Sequence, residues 1–275
     1  MKYQGGYGEM KKKICVCITA VVLSAVMTGT AFAGTWSSQK KSTDSGAEYT
    51  EWSYRKDNGS KVAGEWIQDK GTWYYIGSDG IMLSDDISPD GYAVGDTGAW
   101  VASIPRITMT NEMKAAYKGV VAEAQQNNTA KYASTYDKIY YTIHDMNHDG
   151  IPELLVHDGD CEAAYRYIVY TFDGAEAVRV GEFGAGHAAD LLESDAEGNL
   201  YFAAAHMGSY GVSRIIYDGA TVTDTYLDET RPDGLKDEYG MDDYDKTAAY
   251  YGNLLGIVYR LPNVDYNNTR LLDIR

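Results

Sequence analysis

Gly64-Glu65-Trp66-Ile67 is followed by Gly71-Thr72-Trp73-Tyr74-Tyr75-Ile76, then by Gly77-Ser78-Asp79-Gly80 and Ile81-Met82-Leu83. The run from Gly71 to Ile76 is dense in aromatic and β-branched side chains and reads as a strand. Asp79-Gly80 sits at the tip of a short polar stretch and reads as a tight turn, after which Ile81 starts the return strand. The hairpin is repeated. Trp52, Tyr54 and Gly59 recur at the same mutual spacing as Trp73, Tyr75 and Gly80, and the pair Tyr74 and Gly80 recurs as Tyr92 and Gly98. A period of about 20 residues marks stacked supersecondary units that bury their faces against one another. The spacing predicts a β-hairpin repeat module over residues 51–102.

Side chains alternate along a strand, so Trp73 and Tyr75 share a face, and Trp66 arrives from the preceding segment. Rings grouped in this way can wall a quaternary ammonium, each contributing about 0.5–2 kcal/mol. They can equally pack the hairpins together in a module with little aliphatic core. At Gly64–Ile67, Gly71–Tyr75 and Ser78–Met82 the sequence resembles the cell-wall-binding, choline-binding-type repeats of Gram-positive surface proteins, which are related to glucan-binding repeats. Gly91-Tyr92-Ala93-Val94 with Asp96-Thr97-Gly98-Ala99-Trp100 resembles a second, looser copy. The resemblance implies a wall-polymer partner, choline-bearing teichoic acid or glycan, held in the groove between successive hairpins. The candidate ligand-binding residues are Trp66, Trp73, Tyr75, Tyr92 and Trp100. In the next unit the position of Trp66 reads as Asp86, which would leave the following groove without a wall.

Ahead of the module, Lys11-Lys12-Lys13, an apolar run from Ile14 to Met27 and Ala31-Phe32-Ala33 have the order of a secretory signal peptide, residues 1–33. The apolar run is shorter than the ~20 residues a bilayer core requires, so no stable membrane span is expected after cleavage. Residues 34–50 are mainly Ser, Lys, Thr and Gly and read as a flexible leader. Cys15 and Cys17 fall inside the signal, leaving Cys161 as the one cysteine of the exported chain and hence no internal disulfide. The chain carries a formal charge of −16, and loss of the signal lysines makes it more negative. That charge disfavours nucleic acid and anionic lipid as partners and favours cations.

After Pro105 the composition becomes that of an ordinary globular domain, residues 107–275. Met113, Ala116, Tyr117, Val120, Val121 and Ala124 recur at helical spacing from Asn111 to about Asn127. Strand-like runs follow at 139–143, 153–157, 165–172, 177–183, 200–206, 212–217 and 221–227, and a last helix is expected at 244–255. Short connections force antiparallel neighbours. The fold class expected is α+β: the hairpin module, then an antiparallel β-meander domain flanked by an N-terminal and a C-terminal helix.

Asp145-Met146-Asn147-His148-Asp149-Gly150-Ile151-Pro152-Glu153 is the sharpest local motif in that domain. Oxygens at alternate positions with glycine at the sixth suit a hard cation. Asp145, Asn147 and Asp149 would supply side-chain oxygens, Ile151 its carbonyl and Glu153 a carboxylate to calcium. Val156 stands where an EF-hand needs glutamate, so the loop resembles instead the calcium loops of FG-GAP-type repeats. An Asx-rich turn that binds nothing is the other reading of the same residues.

The five histidines form no zinc spacing. His187, His206, Cys161 and Glu162 could be gathered into a hydrolytic site only by the fold. The sequence is therefore read as a secreted, cell-wall-associated binding protein rather than an enzyme. A wall- or polysaccharide-degrading hydrolase targeted by the repeats is the alternative.

Overall fold

The computed structural model describes residues 34–42, 48–132, 139–159, 165–184, 189–206, 209–227, 233–236, 240 and 243–275. The expected signal peptide lies outside them. No helix among the described residues is long and apolar enough to cross a membrane.

The repeats are hairpins, as their spacing requires. β1 (Gly34–Ser42) pairs antiparallel with β2 (Glu48–Lys56), β3 (Glu65–Asp69) with β4 (Thr72–Ile76), and β5 (Asp86–Ile87) with β6 (Ala93–Val94). The sequence period reappears in the backbone hydrogen bonds. Val62, Leu83 and Val101 donate to the carbonyls of Tyr54, Tyr75 and Ala93, and Gly59, Gly80 and Gly98 close turns onto Lys56, Gly77 and Gly95. These glycines have φ of +82°, +84° and +77°, the left-handed region in which a Cβ is penalised.

Residues 34–50, expected as a flexible leader, carry β1 and the beginning of β2; residues 43–47 lie outside the described set. The reason is one side chain that a composition average hides. Trp36 stands directly across from Tyr54 and packs edge-on against Tyr54 and Tyr74. It supplies the apolar contact area that the surrounding Ser and Lys residues cannot.

Beyond the module, α1 spans Asn111–Tyr132 and α2 spans Tyr244–Leu255. The sequence predicts one meander, but the described strands build two. β7 (Tyr140–His144), β8 (Glu153–Asp158), β9 (Arg166–Phe172) and β10 (Ala177–Phe183) form the first. β11 (Ala189–Asp195), β12 (Leu200–His206), β13 (Ser209–Tyr217) and β14 (Val222–Tyr226) form the second. The chain end then returns to both, β15 (Ile257–Arg260) beside β11 and β16 (Val264–Asp265) beside β7. Two layers are needed because β8 is buried from Glu153 through His157, and successive side chains point to opposite faces. Tyr167, Phe183 and Phe202 fill the space between the sheets, Tyr167 stacking on Phe183 at 5.3 Å and Phe202 meeting Phe183 edge-on at 5.9 Å.

The third hairpin belongs to this same core. Ile87, Ala93, Ile104 and Ile107 are buried in one cluster with Tyr117, Leu154, Leu271 and Ile274. Polar contacts reinforce the junction: Arg270 pairs with Asp86 at 2.6 Å, the Arg260 N–H donates to Asp85 and the Arg275 N–H donates to the Pro89 carbonyl.

Candidate ligand-binding site

Trp66 on β3 lies opposite Tyr75 on β4. The two rings meet edge to face at 5.3 Å and 71°, a favoured arrangement for aromatic pairs. Tyr92, from the next hairpin, stands 6.0 Å from Trp66 at 82°, and Trp100 continues the row 5.8 Å beyond Tyr92. Tyr75 is largely covered, at 9% exposure, whereas Trp66, Tyr92 and Trp100 are half-buried and keep part of their surface available. Trp73 takes another part. It lies across from Gln68, makes no ring contact among the described residues, and accepts the Trp100 N–H on its carbonyl at 2.9 Å.

A carboxylate completes the group. Asp90 Oδ2 accepts the Trp66 indole N–H at 2.9 Å, and its Oδ1 accepts the Ser88 hydroxyl at 2.6 Å. Ser88 is fully buried and its Oγ also accepts the Tyr92 N–H, so Asp90 and Tyr92 are fixed from one point. Burial, and after it the negative charge of Asp90, raises the pKa of the Tyr75 phenol. Arg106 places its guanidinium 5.5 Å from the centre of the Tyr92 ring while donating to the carbonyls of Asp90 and Arg275. The rings thus stand nearly perpendicular beside one carboxylate, Asp90, with the guanidinium of Arg106 already over the Tyr92 face; rings beside a carboxylate are of the kind that take a cation with apolar flanks.

Tyr75, Tyr92 and Trp100 thus join Trp66 as the sequence suggests, and Trp73 does not. The wall of the following groove is assigned differently. Asp86 pairs with Val94, while Ile87 pairs with Ala93, so the Trp66–Tyr75 pair is replaced one unit later by Ile87–Ala93. The replacement is apolar because this face is packed into the main core. Sequence reasoning missed Asp90 and Arg106, for which no spacing rule gave a signal.

The other candidate residues lie on the β7–β8 turn. Asp145 accepts the N–H groups of Asp149 and Gly150 at 3.1 Å each. Asp149 accepts the Ile151 N–H at 2.7 Å and an amide hydrogen of Asn147 at 2.8 Å. Positive φ at His148 and Gly150 turns the chain. Glu153 is fully buried; Oε2 accepts the Met146 N–H at 2.9 Å and Oε1 the Thr171 hydroxyl at 3.0 Å. Burial raises its pKa to about 7, with the charges of Asp145 and Asp149 adding to the rise. Among the described residues no group of three or more His, Cys, Asp or Glu is placed to hold a metal ion. The loop's oxygens remain of the kind a hard cation takes.

Cys161, Glu162 and His187 lie outside the described residues, as does the side chain of His206. Of the remaining histidines, His144 is buried, its Nε2 2.9 Å from the Gly198 carbonyl, and burial lowers its pKa.

No curated protein matches the sequence. Among solved structures, the chain is 28% identical to the choline-binding domain of Spr1274 from Streptococcus pneumoniae, over 27% of this chain and 98% of that one, with a TM-score of 0.17. It is 18% identical to the multimodular pneumococcal cell wall endolysin from phage Cp-1 complexed with choline, over 74% of this chain, with a TM-score of 0.21. The matched part spans 41% of that endolysin. Residues 60–100, which hold Trp66, Tyr75, Tyr92 and Asp90, match the protein-family model described as a choline-binding repeat.

Proposed function

We propose that this chain is an exported, cell-wall-associated protein that attaches to choline-bearing wall polymer through its hairpin module. The observation that carries the reading is Trp66, flanked at 5.3 and 6.0 Å by Tyr75 and Tyr92, with Asp90 hydrogen-bonded to its indole. A trimethylammonium group would rest its methyls on the half-buried rings while Asp90 offsets its charge. Each ring contributes about 0.5–2 kcal/mol. Such a site is weak alone, so retention on a polymer gains from engaging more than one choline. The match of residues 60–100 to the choline-binding repeat supports the same assignment. The β-rich part rests against the third hairpin of the module. In that part, Asp145, Asn147 and Asp149 with the Ile151 carbonyl are proposed to take calcium, which would fix the β7–β8 turn at the level of the Glu153 strut.

The test is retention of the full chain on isolated choline-containing walls, with and without free choline. Release by millimolar choline is the expected outcome. Retention indifferent to choline, or no retention, overturns the reading.

A further inference from the structure

We propose that a cavity between the two sheets binds a small primary ammonium compound, with Asp85 and Thr142 as the groups that receive its N–H donors. The place follows from the path of the chain. β15 ends at Arg260 in the second sheet and β16 begins at Val264 in the first, so residues 261–263 cross from one sheet to the other. That crossing walls a cavity of about 240 Å³. Thr142 on β7, Tyr167 on β9, Leu192 on β11 and Leu261 are buried and form its floor, while the exposed Arg260 and Asn263 and the half-buried Asp85 form its rim. None of these side chains belongs to the aromatic row, so the inference stands apart from the choline reading.

Two polar groups on this cavity lack what burial demands. Thr142 is 1% exposed, and its hydroxyl has no hydrogen-bond partner among the described residues, a state that buried hydroxyls ordinarily avoid. Asp85 accepts one hydrogen bond, from the Arg260 N–H at 3.1 Å, and makes no ion pair among the described residues. The Arg260 guanidinium goes to Glu193 instead, at 3.2 Å. The neighbouring Asp86, by contrast, is paired with Arg270. Burial raises the Asp85 pKa; the N–H and charge of Arg260 oppose the rise, and the charges of Asp96 and Glu193 add to it. One guanidinium therefore faces more than one carboxylate. A primary ammonium answers both deficits, giving N–H donors to the carboxylate and to the threonine oxygen and a positive charge to the acidic rim. A quaternary ammonium has no N–H to give, and Tyr167 is the single ring among the lining residues. The volume lies below the ~300–1,000 Å³ of pockets for drug-sized ligands, so the body of the ligand is a few carbon atoms long and rests on Leu192 and Leu261.

The experiment is calorimetric titration of the full chain with ethanolamine and with alanine, choline serving as the comparison. Ethanolamine is expected to bind the wild type and Trp66→Ala alike, and to bind Asp85→Asn about tenfold more weakly or worse. Thr142→Val should also weaken it while leaving the thermal midpoint unchanged or higher, because the hydroxyl removed has no internal partner. Alanine binding more tightly than ethanolamine upholds the site and assigns it a zwitterion whose carboxylate reaches Arg260; alanine binding no better upholds it for a plain amine. No binding of either compound to the wild type overturns the proposal and leaves a cavity that holds water only. Ethanolamine binding that survives Asp85→Asn, or that is lost in Trp66→Ala, overturns it as well, and the choline titration decides the aromatic row separately. The wild type supplies a readout free of any variant: methylene protons of ethanolamine should give nuclear Overhauser contacts to the Leu192 and Leu261 methyls, and their absence at saturation counts decisively against the site.

Discussion

The Trp66 indole N–H donates to Asp90 across the junction between the second and third hairpins, at 2.9 Å. One contact thereby orients the central ring of the aromatic row and places a carboxylate beside it. Asp90→Asn keeps an acceptor for the indole but removes the charge. Choline affinity is expected to fall several-fold with the fold intact, whereas Trp66→Ala should cost about 0.5–2 kcal/mol, roughly 2- to 30-fold. Titration calorimetry of both variants checks this, and an Asp90→Asn variant binding like wild type would remove the carboxylate from the account.

Glu153 gives a pH signature. Its pKa in the folded chain is raised to about 7 from 4.5, chiefly by burial. A carboxyl whose folded value lies above its unfolded value contributes stability that is fully present below the unfolded value and is lost as pH rises through the folded one. With calcium chelated, the stability difference between wild type and Glu153→Gln should therefore move against the wild type between pH 4.5 and 8, by on the order of a few kcal/mol. Urea unfolding across that range measures it; a difference independent of pH would contradict the raised value.

Calcium should act on the same turn. If the β7–β8 loop binds with the ~10⁻⁴ M affinity common in extracellular modules, 1 mM calcium adds about 1.4 kcal/mol, or about 3–6 °C in the thermal midpoint for a chain of this size. Asp145→Asn should abolish the increment. A midpoint unmoved by chelator would reduce the loop to an Asx turn.

The Asp86–Arg270 pair, 2.6 Å apart with both side chains partly covered, joins the third hairpin to the C-terminal segment. Burial raises the Asp86 pKa and Arg270 opposes the rise. Arg270→Met leaves that carboxylate without its partner, and a loss of about 1–3 kcal/mol is expected. Asp86→Asn in the same background should recover part of it, which a double-mutant cycle by chemical denaturation would detect.

The module was legible in the sequence because its signal is periodic: a hairpin needs its turn glycine and its ring at fixed offsets, and the recurrence of Tyr54 and Gly59 as Tyr75 and Gly80 survives as repeated hydrogen bonds. Strands β7 to β10 were legible from apolar runs between turn residues. β11 was not, since Ala-Asp-Leu-Leu-Glu-Ser-Asp favours a helix by propensity and is a strand only because β12 and β15 pair with both its edges. β1 was hidden by averaging, although Gly34-Thr35-Trp36 repeats the spacing of Gly64-Glu65-Trp66. Asp90 could not be read at all. In a chain with 40 acidic residues, one aspartate stands out only when its neighbours in space are known.

Ile87 and Ala93 occupy the places that Trp66 and Tyr75 hold one unit earlier, and they are sunk among side chains of α1 and the first sheet. The stack consequently ends in a weld where a swivel would otherwise be expected. Where wall polymer binds at Trp66 as proposed, pull on it would be passed through a single hairpin into the sheets, so the orientation of the β-rich part would be set by the fold itself, with no slack to take up.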